Sequence, residues 1–306
     1  MTKILVTGST GNIGCHVVEE LIKRDGKVKA AVTNLDRGKK VFSDINVELV
    51  EFDFLRKDTY PQALEGVSKI FLMRPPHLAK PKEDMLPFLN EAKKLGVNHI
   101  VFVSLLGVEK KPVVPHRKIE DLIRNLEFQY TFLRPSFFMQ NLNTTHREDV
   151  LLRNELFMPV GKAKTSFIDT RDIAEVAAVC LTEDGHFYKA YTLTGSEAIT
   201  YYEAASIMSD VLKRKITYQN PGIIEFRKKL IARGTPRNFA NVMTVLYTMT
   251  RLGNAKNVTD KVERLLKRKP ITFRQYVKDY QHFFKNDNGT TVRREIVEDK
   301  SKNKTL

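Results

Sequence analysis

Residues 3–14, KILVTGSTGNIG, decide how this chain folds. A short β-rich run leads into glycines at positions 8, 11 and 14, and apolar residues at helical spacing follow over residues 12–24. A dinucleotide-binding loop requires this order of strand, glycine-rich turn and helix. We expect Gly8 to permit a tight turn, Gly11 to admit a pyrophosphate, and Gly14 to let the helix approach the strand. The other candidate loop residues are Ser9, Thr10, Asn12 and Ile13.

The helix that follows the loop would offer unpaired N–H groups and a positive dipole end to phosphates. The glycine spacing, G-x-x-G-x-x-G, is one residue wider than the common G-x-G-x-x-G. A glycine-rich turn without a ligand is the alternative interpretation. The turn follows the first strand of a chain in which strands and helices alternate, and this context favours a phosphate-binding loop.

Short apolar runs alternate with helical patterns through the first 135 residues. Such alternation is typical of right-handed βαβ units and a parallel sheet. We therefore predict an α/β fold, a Rossmann-type doubly wound parallel sheet with helices on both faces, plus a smaller, mainly helical C-terminal region. The predicted strands are residues 3–7, 27–32, 47–52, 69–73, 99–103, 129–133 and 191–194. The predicted helices are residues 12–24, 59–64, 83–95, 117–125 and 169–180.

The pattern divides the chain into three parts. Residues 1–155 are predicted to form an NAD(P)-binding Rossmann domain, to which residues 167–195 contribute a helix and a strand. Residues 196–285 are predicted to form a smaller, mainly helical substrate-binding region. Residues 286–306 are polar, lack a sustained apolar period, and are predicted to be a mobile tail.

Composition excludes several classes of protein. Hydrophobic residues make up 42% and charged residues 28% of 306, which is typical of a globular protein. Two cysteines fit a reducing compartment, and no His spacing is typical of a metal site. The N-terminus does not resemble a signal peptide, and no apolar run approaches the ~18 residues that span a membrane. We therefore expect a cytoplasmic protein with no metal and no membrane partner.

The net charge of +15 is concentrated late in the chain. Residues 201–285 hold 18 Lys and Arg against 6 Asp and Glu, whereas residues 1–200 are nearly neutral. A basic region can attract nucleic acid, but no nucleic-acid-binding motif accompanies it, so that partner is not expected. The alternatives are a solvated surface and an electrostatic funnel for an anionic cofactor.

Several motifs in order resemble one family. The loop TGSTGNIG resembles the short-chain dehydrogenase/reductase superfamily, and the remaining motifs resemble its NmrA-like atypical branch over about residues 3–280. Within that branch, KITYQNP at residues 215–221 is similar to the NAD(P)H:quinone and triphenylmethane reductases. The motifs of the branch are FDF (52–54), FLMRPP (71–76), FVSLLG (102–107), YTFLRPSFFMQN (130–141), FIDTRDIAEVAA (167–178) and YTLTGSEAITYYEAA (191–205).

The resemblance implies roles for matching residues. Asp53 would accept a hydrogen bond from the adenine amino group, or else cap the next helix. Met73 and Pro75 would line the ribose and pyrophosphate, and Phe137 and Phe138 would flank the nicotinamide, although packing could explain all four. The expected cofactor set also includes Phe54, Ser104, His116 and Pro135.

The end of the second strand bears on the choice of cofactor. An NAD site usually has a carboxylate there for the ribose 2′-hydroxyl, but this chain has Thr33 and Asn34. Arg37, with Lys39 and Lys40 nearby, could meet a 2′-phosphate. Asp36 could instead bind a hydroxyl. We expect NADP(H) to be preferred over NAD(H).

The usual catalytic pair of the superfamily, Tyr-x-x-x-Lys, is missing. The corresponding positions read Pro112 and His116, while Ser104 occupies the expected place of the catalytic serine. A quinone relaxes the requirement, because the hydroquinone anion has a pKa near ~10 and can take its proton from water. Ser104 and His116 are the candidate catalytic residues. His116 could contact the nicotinamide ribose, assist proton delivery, or only brace the helix through Glu120.

Two functions remain open at this point. The first is an NAD(P)H-dependent oxidoreductase that transfers a hydride to a quinone-like or other activated acceptor. The alternative is a non-catalytic redox sensor of the NmrA type that binds NAD(P) and signals to a partner. For the first, the expected partner is a small-molecule acceptor, and a homodimer is one expected assembly.

Overall fold

The computed structural model describes residues 3–285. Its principal sheet has seven parallel strands in the order β3-β2-β1-β4-β5-β6-β9. The predicted Rossmann-type sheet is confirmed by this order, which places each consecutive strand from β4 onward on the opposite side of β1 from β2 and β3. The strands are β1 (Lys3–Val6), β2 (Lys27–Val32), β3 (Glu48–Glu51), β4 (Val67–Leu72), β5 (His99–Val103), β6 (Gln129–Pro135), β7 (Glu155–Leu156), β8 (Lys164–Thr165), β9 (Lys189–Leu193), β10 (Ile199–Thr200) and β11 (Thr217–Tyr218).

Helices connect the strands and continue beyond the sheet. Short 3₁₀ turns at Lys57–Thr59, Val108–Lys110, Met139–Leu142 and Gln281–Phe284 supplement them. The α-helices are α1 (Gly14–Lys23), α2 (Leu35–Val41), α3 (Tyr60–Leu64), α4 (Pro81–Asp84), α5 (Leu86–Lys94), α6 (Pro115–Asn125), α7 (Arg147–Arg153), α8 (Thr170–Thr182), α9 (Tyr201–Leu212), α10 (Ile223–Ala232), α11 (Arg237–Arg251), α12 (Lys261–Leu266) and α13 (Phe273–Asp279).

Both faces of the sheet are covered. Successive strand residues point to opposite faces, so Ile4 and Val6 join one apolar cluster while Leu5 joins the other. Helices α1, α8 and α12 cover the first face, and α3, α5 and α6 cover the second. Strands β4 and β5 alternate in the same way, which explains why their sequences read as continuous apolar runs.

The chain forms two compact units. Within the described residues, the sheet unit comprises residues 3–138, 165–198 and 254–271, and the second unit comprises residues 139–164, 199–253 and 272–285. This division differs from the sequence-based one, because residues 139–155 belong to the second unit and residues 254–271 return to the sheet unit. That return places α12 against α8, where Val262 is fully buried. The predicted tail, residues 286–306, lies outside the described residues.

The second unit is mainly helical. Helix α9 packs against α13, α10 packs against α11, and β7 pairs in parallel with β11. A phenylalanine on α10, Phe226, is fully buried and its ring lies edge-on to Tyr247 of α11, with 5.4 Å between ring centroids.

One helix was not predicted, and one predicted helix has different bounds. The segment after β2 forms α2, although its sequence, LDRGKKV, has only two apolar residues. The single helix expected over residues 83–95 is divided into α4 and α5 at Met85, because Pro81 and Pro87 each occupy a first helical turn. No helix within residues 3–285 is long and apolar enough to span a bilayer.

Candidate functional site

The candidate site lies along the carboxyl edge of the parallel sheet. Strand β1 has β2 on one side and β4 on the other, so the chain leaves β1 at the point where the strand order reverses. Open α/β sheets bind ligands in the crevice at such a switch point. The glycine-rich loop, Thr7–Ile13, occupies this place.

The geometry of the loop depends on its glycines. Gly8 has φ of +62°, a conformation that a side chain would strain. A Cβ on Gly14 would lie 2.1 Å from the carbonyl oxygen of Gly8, so α1 can approach the loop only with glycine at its first position. Gly8, Gly11 and Asn12 are exposed, which leaves their backbone accessible to a ligand.

Two buried hydroxyls fix the loop to the sheet. Ser9 donates from Oγ to the carbonyl oxygen of Ala31 on β2, at 2.7 Å. Thr7 donates to the carbonyl oxygen of Phe71 at 3.1 Å and accepts from the backbone N–H of Met73 at 2.9 Å. These hydrogen bonds hold the loop in place without a ligand. Because the Ser9 hydroxyl is used within the protein, the backbone of the loop is the part that can contact a ligand.

The first turn of α1 is not capped by a side chain. Its N-cap residue, Ile13, is apolar and buried in the core, and its side chain makes no capping hydrogen bond. Thr10 is half-buried at the preceding turn. An anion at this helix end would meet backbone donors and the positive end of the helix dipole.

The end of β2 presents a cation and no carboxylate. Thr33 is exposed, and the side chain of Asn34 accepts from the backbone N–H of Arg37 at 2.8 Å as the N-cap of α2. The Arg37 side chain is exposed and forms no ion pair within the described part of the chain. Asp36 lies 4.0 Å from the Nζ atom of Lys39, so that carboxylate is partly offset.

Asp53 and Phe54 follow β3, and Asp53 is half-buried whereas Phe54 is buried. The Oδ1 atom of Asp53 accepts from the N–H of Leu55 at 2.8 Å, which closes a turn. Asp53 therefore does not cap the following helix. The half-buried Asp53 keeps Oδ2 available to a donor such as an adenine amino group. The ring of Phe54 packs edge-on against Phe52, with 4.8 Å between centroids, so a ligand could reach only its backbone.

Arg74 follows β4 and was missed by the sequence prediction. Its Nη1 atom donates to the carbonyl oxygens of Pro75, Pro76 and Leu78, at 3.0, 3.0 and 2.8 Å. Its Nε atom is buried without a partner, and burial lowers its pKa. Arg74 thereby shapes the segment that presents Met73, which is half-buried, and Pro75. An arginine between a buried strand and two prolines was the available signal.

Ser104 follows β5 with an unsatisfied hydroxyl. Its backbone N–H donates to Leu133 at 2.7 Å, its side chain is 1% exposed, and its Oγ has no hydrogen-bond partner. A buried hydroxyl without a partner loses hydrogen-bond energy, and a polar ligand group could restore it.

His116 lies in the first turn of α6, stacked on the ring of Phe102 with 6.0 Å between centroids. Burial, and then the positive charge of Arg74, lower the pKa of His116 from 6.5 to about 3. The imidazole is therefore neutral at neutral pH. It does not brace the helix through Glu120, because that buried carboxylate accepts instead from Arg134, at 2.7 and 3.0 Å, and from Arg124.

The segment after β6 completes the edge. Pro135 is buried and accepts from the N–H of Leu106 at 3.1 Å. The carbonyl oxygen of Phe137 accepts from Ile168 at 2.9 Å, and Phe138 forms a parallel bridge with the same residue. Both phenylalanines are half-buried, and Phe138 packs on the core beneath α1 and α8.

In the described residues, the candidate site contains neither an activated thiol nor a cluster of metal-binding side chains. Burial, and then Glu19, raise the pKa of Cys15 to about 11, so the dipole of α1 does not activate it. Burial raises the pKa of Cys180 further. Among residues 3–285, no three His, Cys, Asp or Glu side chains are grouped to hold a metal ion.

These residues fit a dinucleotide. The loop offers exposed backbone beside an uncapped helix end, β2 ends without an acid, and Ser104 keeps a free hydroxyl at the same edge. The structure thus brings the predicted residues to the carboxyl edge of one sheet, with the Phe54 ring directed into the core and the Ser9 and Asn34 side chains used locally.

Comparison with known proteins identifies the family. The chain belongs to the NmrA-like family, whose model matches residues 1–283. An uncharacterized oxidoreductase of Bacillus subtilis (strain 168), YesF, is 34% identical over 275 residues, which cover 89% of this chain and 93% of that protein. The NAD(P)H azoreductase of Xenophilus azovorans is 31% identical over 286 residues, covering 92% and 99%.

A solved structure has the same fold. The Citrobacter sp. triphenylmethane reductase, crystallised with NADP(H), matches with a TM-score of 0.79 and 26% identity, over 90% of this chain and 99% of that chain.

Proposed function

We propose that this protein is an NADP(H)-dependent oxidoreductase that transfers a hydride to a small activated acceptor such as a quinone. The observation that carries the proposal is the close approach of α1 to the loop at the switch point, where a Cβ on Gly14 would lie 2.1 Å from the Gly8 carbonyl oxygen. Such close approach of a helix N-terminus to a glycine-rich turn is typical of a dinucleotide-binding loop. The names of the two reductases to which the chain is similar support the same activity.

The chain's own residues would bind and orient the cofactor. Backbone N–H groups of the loop and the first turn of α1 would bind the pyrophosphate, and Arg37 would pair with a 2′-phosphate. Asp53 would accept from the adenine. Ser104 would donate its unpaired hydroxyl hydrogen to the nicotinamide portion or to the acceptor oxygen. The half-buried Phe137 would pack beside the ring.

When bound, the reduced nicotinamide supplies the hydride, and the protein supplies alignment. His116 is neutral at neutral pH, so its single ring N–H can form a hydrogen bond, but it lacks the acidic proton that an imidazolium would deliver. A quinone that gains a hydride becomes a phenolate-like anion, which takes one proton from water to give the hydroquinone. This chemistry has no need of the absent Tyr-Lys pair. In this proposal, residues of the mainly helical unit would determine which acceptor binds.

The experiment is fluorescence titration with NADPH and NADH, followed by NADPH oxidation with a panel of quinones and triarylmethane dyes. We expect saturable binding with NADPH preferred, and turnover with at least one acceptor. G14A should abolish binding. G222A is the matched control, because no atom lies within 4 Å of its new Cβ. Tight binding without turnover on any acceptor would favour a redox sensor, and absence of binding would refute the proposal.

A further inference from the structure

A groove lies between helices α3 and α5 of the sheet unit. Its volume is about 520 Å³, within the range of roughly 300–1,000 Å³ that is typical of small-molecule sites. Residues of the turn before α3 and of α3 itself line one wall, and residues of α4 and α5 line the other. The eight lining residues include no member of the glycine-rich loop, and neither Asp53 nor Ser104 is among them. The groove is therefore separate from the candidate dinucleotide site.

Half of the residues that line the groove present hydrocarbon to it. They are Pro61, Leu86, Pro87 and Tyr60. The hydroxyl hydrogen of Tyr60 is donated to the carbonyl oxygen of Phe54 at 2.5 Å, so Tyr60 contributes its ring to the lining. The two prolines have no backbone N–H to offer. These residues favour an apolar body as ligand, because its binding would remove hydrocarbon surface from water.

Two lysines line the same groove from its two walls. Lys57 belongs to the turn before α3, and Lys82 belongs to α4. Both side chains are exposed, and neither forms an ion pair or a hydrogen bond with any group of residues 3–285. The exposed amide of Asn90 is a further hydrogen-bond donor in the lining. The polar half of the groove can therefore donate to an anionic group.

The acids around the groove do not neutralise the two lysines. Every acidic residue that lines the groove, or adjoins a lining residue in sequence, pairs with a different cation. These pairs are Asp58 with Arg56 at 2.8 Å, Glu83 with Lys80 at 2.9 Å, and Glu91 with Lys94 at 3.3 Å. The charges of Lys57 and Lys82 are thus left over, and the groove has the charge that complements an anion.

We propose that this groove binds a small organic anion that carries its charge on an apolar body, such as an aryl carboxylate. The anionic group would contact Lys57 and Lys82 and accept from Asn90, while the apolar body would lie against the prolines and Leu86. Charge-assisted hydrogen bonds would orient the ligand, and burial of its hydrocarbon would hold it. This site does not depend on the reductase function.

Two other occupants fit less well. An inorganic anion would use the lysines but leave the hydrocarbon of the lining in contact with water. A protein partner would need a larger surface, because a stable interface takes about 20–30 residues from each side, and only eight line this groove.

The test is calorimetric titration of the full chain with 2-naphthoate, with its neutral analogue 2-naphthamide and with inorganic phosphate. We expect 2-naphthoate to bind at least ~tenfold more tightly than either of the others, because only it combines charge with an apolar body. K57Q/K82Q should weaken 2-naphthoate binding at least ~tenfold. K27Q/K189Q removes the same charge from two exposed lysines at the starts of β2 and β9, and it should bind as the wild type does.

Repeating the titration in the presence of saturating NADPH separates the two sites. We expect 2-naphthoate to bind with unchanged affinity, and its displacement by NADPH would place it in the dinucleotide site and overturn the proposal. Thermal unfolding of each variant checks that the fold is retained. Equal binding by K57Q/K82Q and wild type would also overturn the proposal, as would phosphate binding as tight as that of 2-naphthoate. Binding of 2-naphthoate without any binding of NADPH would count against the reductase function alone.

Discussion

The hydroxyl of Ser9 donates a 2.7 Å hydrogen bond to the carbonyl oxygen of Ala31, which joins the phosphate loop to the neighbouring strand β2. Both residues are buried. The loop therefore does not depend on the cofactor for its position, and the position of β2 is coupled to that of the loop.

Replacing Ser9 with Ala tests this coupling. S9A leaves the Ala31 carbonyl oxygen buried without that donor, which should lower the free energy of unfolding by about 1–3 kcal/mol. We also expect weaker NADPH binding, because the loop gains freedom that the ligand must remove. Urea denaturation and fluorescence titration measure the two effects. S43A, at an exposed serine, should change neither, and an unchanged S9A would contradict the interpretation.

Arg37 is expected to determine the cofactor preference. R37A removes a charged donor for a 2′-phosphate, which should weaken NADPH binding about 10- to 100-fold. NADH lacks that phosphate and is the internal control, so its affinity should stay within about twofold of the wild-type value. Titration of R37A with both cofactors measures the ratio. Equal losses for NADPH and NADH would exclude a specific 2′-phosphate contact.

Arg74 is expected to position the segment after β4. R74M removes the donor to three carbonyl oxygens and the charge that acts on His116, so NADPH affinity should fall about tenfold (~1.4 kcal/mol) and the pKa of His116 should rise. R74K keeps the charge without the same set of bonds, and should weaken binding while leaving the pKa of His116 low. NADPH titration and NMR titration of the imidazole separate the two roles. Unchanged affinity in R74M would contradict the first.

Acid should destabilise the sheet unit through His99. Thr131 uses its hydroxyl hydrogen for the carbonyl oxygen of His186, so the Nε2–H of His99 donates to Thr131 and Nδ1 is left buried without a partner. Burial, followed by the charges of Lys69 and His186, lowers the pKa of His99 to about 3. The folded state then binds fewer protons than the unfolded state between about pH 6.5 and pH 3, so this contribution to stability falls as the pH falls.

The measurement is urea denaturation of wild type and H99Q at pH 7 and pH 5. Between these pH values, wild type should lose about 2 kcal/mol more than H99Q does. Glutamine keeps a donor for Thr131 and does not titrate, so it isolates the protonation. Equal pH dependence in the two proteins would show that His99 does not contribute.

The fold was predictable where local patterns and tertiary packing agree. Strands β2 and β5 have the predicted bounds. β5 reads as a largely apolar run because a central strand of a parallel sheet is buried on both faces. Helix α2 was missed because Gly38 disfavours a helix. A Cβ there would lie 3.1 Å from a methyl group of Val32, so the glycine favours the close approach of α2 to the sheet. The local signals that remained were its N-cap, Asn34, the acidic Asp36 in its first turn, and the basic Lys39 and Lys40 in its last turn.

The candidate site was predictable where one short stretch of sequence contains all the residues that a structural feature needs. The glycine-rich loop is such a stretch: Gly8 has the positive φ of a tight turn, and Gly14 permits the close approach of α1, as expected of them. Arg74 was missed although its partners are equally local, because the pattern of residues 74–78 does not show that the chain turns its carbonyl groups back toward the arginine side chain. The direction of the Phe54 ring also depends on packing, here against Phe52 and Phe88.

The sheet unit is assembled from three separated stretches of chain, and this imposes an order on its synthesis. When residue 138 leaves the ribosome, six of the seven strands have been made, along with the phosphate loop. Helix α8, which packs against α1 and against the strands β4, β5 and β6, has not yet emerged. Part of one apolar face of the nascent sheet therefore stays uncovered until residues 170–182 emerge. A chain truncated between residues 138 and 170 would expose this face and would be expected to bind chaperones.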